Sequence, residues 1–302
     1  MSRPWERSHE ERRKTQERPV RGLLIGAYAP REPAIIASIL RFLEVEKRFP
    51  LALVHRVMDR LASMSMGTTV VTHEEVRRFI REMPDDFAIA KGPCACRLHT
   101  AETLGPDGRD LAGGDLSLCR QTPLNVDIQI AKCGEKFGAL PTYERITKED
   151  LLALEDECRD LGLVSNIYMM MGGEAGICHC SSATCAPFMA NQALGGRSTV
   201  IRKGAFVART DADACNASGR CVEACHFFAR AITQTASGPT LTVDLSLCHG
   251  CGLCAEVCHH HGPQGQGKGE GVFRKVVEEG GGRGVAGRRA REVPGGHAGK
   301  SP

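Results

Sequence analysis

The sequence predicts an α+β protein in three consecutive parts: a helical N-terminal region, a cysteine-rich middle region, and a compact C-terminal unit of short strands and cysteine loops. Three observations lead there. Apolar residues recur at helical spacing between residues 33 and 83, all fifteen cysteines fall between residues 94 and 258, and short β-prone runs separate the last cysteine loops. The parts are bounded as 1–19, a charged tail; 20–90, the helical region; 91–196, the cysteine-rich metal-binding region; 197–262, the C-terminal unit; and 263–302, a Gly/Arg-rich tail. A length of 302 residues and 42% hydrophobic content suffice for a packed core and about two domains.

Residues 1–19 are dense in charge and carry no apolar periodicity beyond Trp5, which predicts disorder. Ile35, Ile36, Ile39, Leu40 and Leu43 then mark one amphipathic helix, and Leu53, Val54, Val57, Met58 and Leu61 a second. Both stripes are expected to be core, with Met58, Met64 and Met66 filling gaps. A strand over 68–71 leads into Thr72 and Glu75, a capping box that opens a helix carrying Val76, Phe79, Ile80 and Met83, closed by Pro84. Thr147 opens another, whose Leu151, Leu152, Leu154 and Leu161 place Cys158 in the core rather than on a metal. Beyond Gly195 and Gly196, residues 205–208 read as a strand, and 231–235 with 241–243 as a hairpin turning at 237–239. Residues 263–302 are too poor in apolar groups to order themselves.

The strongest signal is Cys248, Cys251, Cys254 and Cys258. Three cysteines each two residues apart, then a fourth after three more, is the spacing that wraps thiolates around a cubane cluster and passes the last to a neighbouring one. Gly250 and Gly252 permit the left-handed turns such a loop needs. A companion stretch repeats the pattern with Cys215, Cys221 and Cys225, but Ser218 stands at the second position. Together these segments resemble the two-cluster bacterial ferredoxins, so a dicluster ferredoxin-like 4Fe-4S domain is expected over 197–262. The resemblance implies crossed ligation: Cys248, Cys251 and Cys254 with Cys225 on one [4Fe-4S] cluster, and Cys215 and Cys221 with Cys258 on the other. A serine hydroxyl is a harder donor than a thiolate and must lose a proton to bind, so the second site should hold a [3Fe-4S] cluster or a labile [4Fe-4S] cluster. The competing reading is a decayed site that holds nothing. His226 and His259 stand where the family has proline, and both rings are expected to face water.

Upstream, Cys94, Cys96, Cys119 and Cys133 are followed by Cys178, Cys180 and Cys185. Two Cys-x-Cys pairs with satellites point to a metal site assembled from distant segments, either tetrahedral zinc or a further cluster, against the alternative of idle buried thiols. From about residue 69 to 258 the order of motifs resembles a family of prokaryotic 4Fe-4S ferredoxin-type iron–sulfur proteins, in which a cysteine-rich Cys-x-Cys-Arg region precedes the dicluster domain. The chain departs from that family at His179, in place of Asn, and at Ser181, in place of Cys.

A net charge of +3 excludes a broad basic field, and no helix shows a base-reading face, so neither a winged-helix reading nor nucleic-acid binding is expected. No secretory signal and no run of eighteen apolar residues is present, which predicts no membrane span and a cytoplasmic protein, where clustered thiols bind metal rather than pair. No phosphate loop, nucleophile motif or zinc-protease helix occurs. The expected function is therefore an electron carrier or relay subunit, not itself an enzyme, that passes single electrons to or within a partner oxidoreductase. The alternative is a redox- or iron-sensing regulator that uses the labile cluster and the helical N-terminal region.

Overall fold

The computed structural model describes residues 9–46, 52–103, 123–170, 173–236, 238–258 and 273–275. Its strands are β1 (Met66–Val70), β2 (Ile89–Gly92), β3 (Asp127–Ile130), β4 (Glu144–Arg145), β5 (Val164–Met170), β6 (Gly173–Cys180), β7 (Ile201–Arg202), β8 (Phe206–Ala208), β9 (Arg230–Thr235), β10 (Gly238–Val243) and β11 (Phe273–Lys275). The helices are α1 (His9–Gln16), α2 (Pro19–Tyr28), α3 (Glu32–Glu46), α4 (Ala52–Ser65), α5 (His73–Arg81), α6 (Ala95–Thr103), α7 (Ala131–Phe137), α8 (Lys148–Asp160), α9 (Ala186–Ala193), α10 (Arg220–Glu223) and α11 (Leu253–Glu256).

Seven strands form one mixed sheet in the order β4-β2-β3-β6-β5-β1-β7, antiparallel throughout except for the parallel pair β1–β7. β5 and β6 lie at its centre and are buried along nearly their whole length, as strands covered on both faces must be. On one face Val76, Phe79 and Ile80 of α5 and Leu151 and Leu154 of α8 pack on Ile128, Ile167 and Ile177. On the other, Ile25, Ala29, Cys133 and Phe137 pack on Met170 and Ala175. The expected capping box closes, Thr72 with Glu75 opening α5, and the helix expected to start at Thr147, α8, has a second one with Asp150. Cys158 is fully buried in the first of these cores.

Several expectations are corrected. The sheet draws strands from residues 66 to 202, so it crosses the boundaries drawn at 90 and 196. The segment read as a charged disordered tail contains α1, held by polar anchors rather than apolar ones. Arg13 donates twice to Asp86 at 2.8 Å, and Gln16 Nε2 donates to the Glu174 carbonyl at 2.9 Å. Helical residues Pro19–Arg41 are long and apolar enough to cross a membrane by length and composition. Arg21 within them is buried, however, and donates to the carbonyls of Met170 at 2.9 Å and Glu174 at 2.7 Å. The α4 stripe is not core: Val57, Met58 and Leu61 stand exposed, while Asp59 ties the helix to the β7 approach through Ser198 Oγ and the Thr199 amide.

Residues 205–258 contain the expected hairpin, β9 with β10, and β8 pairs antiparallel with β11. Phe273–Lys275, fifteen residues beyond Cys258, thus pairs with the strand that opens this region. Most of the 263–302 tail, and His259 with it, lies outside the described residues. A shared core of Val70, Val164, Cys185, Phe188, Ile201, Phe227 and Leu253 joins this region to the sheet.

Candidate iron–sulfur sites

α10 and α11 are each four residues long and begin alike, after a glycine in the left-handed region, Gly219 at φ 84° and Gly252 at φ 88°. A side chain there would strain the turn that swings Cys221 and Cys254 inward. Gly250 is held more tightly: at φ 77°, an added Cβ would sit 2.2 Å from the Phe206 carbonyl oxygen.

These turns enclose two cavities. One, of about 340 Å³ including its mouth, is lined by Cys225, Cys248, Cys251 and Cys254. The other, of about 540 Å³ including its mouth, is lined by Cys215, Ser218, Cys221, Cys254 and Cys258. Cys254 lines both, and soft donors converging on one space are the chemistry a polynuclear iron–sulfur core requires. Backbone amides point at the sulfurs: Ala208 N–H lies 3.5 Å from Cys248 Sγ, Ala229 N–H 3.3 Å from Cys225 Sγ, and Ala217 N–H 3.4 Å from Cys215 Sγ. Such bonds stabilise negative charge on sulfur. Cys248 and Cys254 are buried, whereas Ser218 is exposed, so the corner without a thiolate is the one that meets solvent.

Arg230 lies between the cavities and lines both. The residue is only 5% exposed, and its guanidinium approaches Cys221 Sγ at 3.6 Å, Thr210 Oγ1 at 3.5 Å and the Arg209 carbonyl at 3.3 Å. Burial alone would lower its pKa, but the sulfurs of Cys254 and Cys221 raise it. Burial likewise pushes the free Cys254 thiol up to about 11 against the pull of Arg230. Sequence reasoning passed over Arg230; the signal was a charged residue at the inward start of β9, directly between two cysteine loops.

His226 does not face water. Its Nδ1 accepts from the Ser182 amide at 3.2 Å, and its Nε2–H donates to the Gly162 carbonyl at 2.9 Å, so it pins the Cys225 loop to the sheet region. Burial lowers its pKa, consistent with a neutral ring in that role. His249 stacks on Phe227 with ring centroids 4.2 Å apart, and burial holds it down to about 4.

Of the upstream cysteines, Cys94, Cys96, Cys178, Cys180 and Cys185 come together. Cys185 and Cys94 hydrogen-bond to Cys96, and Cys178 and Cys185 to Cys180. These bonds hold the Cys96 and Cys180 thiols well below their usual range. Arg97 clamps the two Cys-x-Cys segments: its Nη2 donates to the carbonyl of His179, between Cys178 and Cys180, at 2.7 Å, and its Nη1 to Pro123 at 2.8 Å. His179 reaches the opposite way, donating from Nε2 to Glu155 Oε2 at 2.6 Å and from Nδ1 to the Val126 carbonyl at 3.2 Å. Glu155, fully buried, also meets His73 at 2.9 Å and Ser165 at 2.6 Å. Burial would raise the Glu155 carboxyl, but the His179 charge and these hydrogen bonds bring it down to about 2. Cys133 is not part of the group: it packs against Ile25, Phe137 and Ala175, and burial pushes its thiol up to about 12. Cys119 lies outside the described residues. Among the described residues no three His, Cys, Asp or Glu side chains form a set that could hold a single metal ion, so the mononuclear zinc alternative gains no support.

Residues 241–258 match the 4Fe-4S binding domain family. The matched segment contains Cys248, Cys251, Cys254 and Cys258, which supports a 4Fe-4S cluster as cofactor and iron–sulfur electron transfer as the general role. No curated protein matches the chain, and no solved structure does.

Proposed function

We propose that this chain is a dicluster electron carrier or relay subunit, passing single electrons to or within a partner oxidoreductase in the reducing cytoplasm. The observation that carries the reading is the pair of adjacent cavities, each lined by one complete crossed set of ligand positions. The β9–β10 hairpin, the β8–β11 pair and the matched turns before α10 and α11 support a ferredoxin-like arrangement around them. Bound clusters supply reversible one-electron chemistry. Cys225, Cys248, Cys251 and Cys254 hold the first centre in a buried setting. Cys215, Cys221 and Cys258 hold the second, where the exposed Ser218 supplies a weaker donor and leaves a [3Fe-4S] or labile [4Fe-4S] centre. Arg230 offsets negative charge on both. Docking of α2 through buried Arg21 and Ile25 favours a helix packed on the protein over one that spans a membrane.

Anaerobic titration with dithionite, followed by reoxidation with a soluble one-electron acceptor, tests this reading. Reversible uptake with at least two distinct midpoints is expected, one absent from Cys225→Ser/Cys251→Ser and another from Cys258→Ser. Irreversible bleaching, or both midpoints surviving in both variants, contradicts it.

A further inference from the structure

The five-thiol group on the sheet is not absorbed by the dicluster reading. We propose that it is a third iron–sulfur site, held by Cys94, Cys96, Cys180 and Cys185 and joined to the Cys225/Cys248 site through Phe188, Phe227 and His249. The site itself stands independently of the dicluster reading; the connection depends on it.

The placement follows from the fold. Cys180 ends β6, opposite Val164 of β5, and Cys178 lies two residues back on the same strand face, opposite Asp127 of β3. Cys94, whose amide bonds to the Leu124 carbonyl at 2.9 Å, and Cys96 flank the start of α6. Cys185 caps α9, and the first amide of that helix, Ala186 N–H, lies 3.5 Å from Cys96 Sγ. Arg97 fixes both Cys-x-Cys segments through the His179 carbonyl and brings a buried positive charge beside them, which offsets the negative charge that a thiolate-bound core would place there. Cys178 is set apart by geometry: its sulfur is engaged by Asp127 Oδ1 at 3.6 Å. Leu40 and Ile36 of α3 pack over Cys96 and Ala186, closing that side with apolar groups.

The want of a three-ligand single-ion set applies equally to Cys225, Cys248, Cys251 and Cys254, because thiolates around a polynuclear core are spread more widely than those around one ion. It therefore argues against zinc and not against a cluster. The connection is continuous. Phe188, one turn into the helix capped by Cys185, has its ring centroid 4.9 Å from that of Phe227; Phe227 stacks on His249; and His249 follows Cys248. Cys180 and Cys185 on one side, and Cys225 and Cys251 on the other, pack against this same core. An electron from an external one-electron reductant that enters at one end reduces that centre, and its departure reoxidises the centre while reducing the next, with no bond made or broken.

The test is anaerobic reconstitution of the full chain, with iron, acid-labile sulfide and zinc measured alongside paramagnetic resonance. Wild type should carry three centres, and the Cys96→Ser/Cys180→Ser variant should lose about a third of its iron and sulfide. That variant should keep the signals removed by Cys225→Ser/Cys251→Ser, and those signals should saturate at lower microwave power once the neighbouring spin is gone. Cys178→Ser should retain all three centres, which also guards against general unfolding of the variants. Unchanged iron in Cys96→Ser/Cys180→Ser, or zinc in place of the lost iron, overturns the third site while leaving the dicluster reading intact. Loss of iron from Cys178→Ser equal to that from Cys94→Ser overturns the ligand assignment. Wild type with no iron at all would overturn the third site and the dicluster reading together.

Discussion

Replacing Arg230 with Met should lower the midpoint potentials of both C-terminal clusters. The side chain is 5% exposed and its nearest nitrogen lies 3.6 Å from Cys221 Sγ, with Cys254 of the other set close by. A unit charge at that distance with an effective dielectric of about 20 gives a ceiling of ~5 kcal/mol. The added electron is spread over the whole core and not seated on one sulfur, which reduces this several-fold, to ~1–2 kcal/mol. At about 2.3 kcal/mol per 100 mV for one electron, the expected fall is roughly 50–100 mV for each cluster. A reduced cluster is more negative than an oxidised one, so removing a cation favours the oxidised form and the sign is downward. Arg230→Lys should recover part of the shift, because it keeps the charge but not the forked geometry. Redox titration followed by paramagnetic resonance, on protein matched for iron and sulfide, measures it. A fully loaded Arg230→Met variant with both midpoints within about 20 mV of wild type would refute the reasoning, since no buried cation at that distance could be so well screened.

Three further outcomes follow from the geometry. Ser218→Cys, which restores a thiolate at the exposed corner, should raise iron per chain and slow its loss to a chelator about tenfold or more; unchanged content and release would show that this corner does not govern lability. Gly250→Ala forces a Cβ to within 2.2 Å of the Phe206 carbonyl at φ 77°, so it should cost on the order of 2 kcal/mol or more and weaken retention of the Cys248 cluster, read by thermal melting and iron release. Glu155, depressed from 4.5 to about 2 in the folded chain, contributes stability that is complete above about pH 4.5 and is lost as pH falls toward 2. That contribution is ~3 kcal/mol, and denaturant unfolding of Glu155→Gln should show a much flatter acid limb; an unchanged limb would remove Glu155 from the account.

The C-terminal cysteine loops were legible because all but one position of each proposed ligand set comes from a single contiguous loop. Spacing alone places Cys248, Cys251 and Cys254, and the glycines beside them report the turns. Helix starts at Thr72 and Thr147 were legible for the same reason, since a capping box is a local signal. What stayed hidden is non-local. The order of the seven-stranded sheet depends on pairing between residues as distant as Thr68 and Ile201, and no local pattern encodes it. The choice among upstream cysteines was equally closed to spacing: Cys133 shares a chain neighbourhood with the others but lies on the α7 face, while Cys185 is brought in by the cap of α9. Composition misled at α1, because charge density was read as disorder when Arg13 and Gln16 are anchors to particular acceptors. It misled again at α4, whose apolar stripe implied a partner that the sheet does not provide for Val57, Met58 and Leu61.

The central claim is that the two cavities beside Arg230 are built to hold iron–sulfur cores on opposite crossed sets of cysteines. Iron and acid-labile sulfide measured on oxygen-free protein, with and without Cys225→Ser/Cys251→Ser, test it most directly. The account predicts brown protein with iron and sulfide in near-equal amounts, and loss from the variant of the buried cluster alone. Colourless wild-type protein without labile sulfide, or a Cys225→Ser/Cys251→Ser variant that retains every centre, would contradict it.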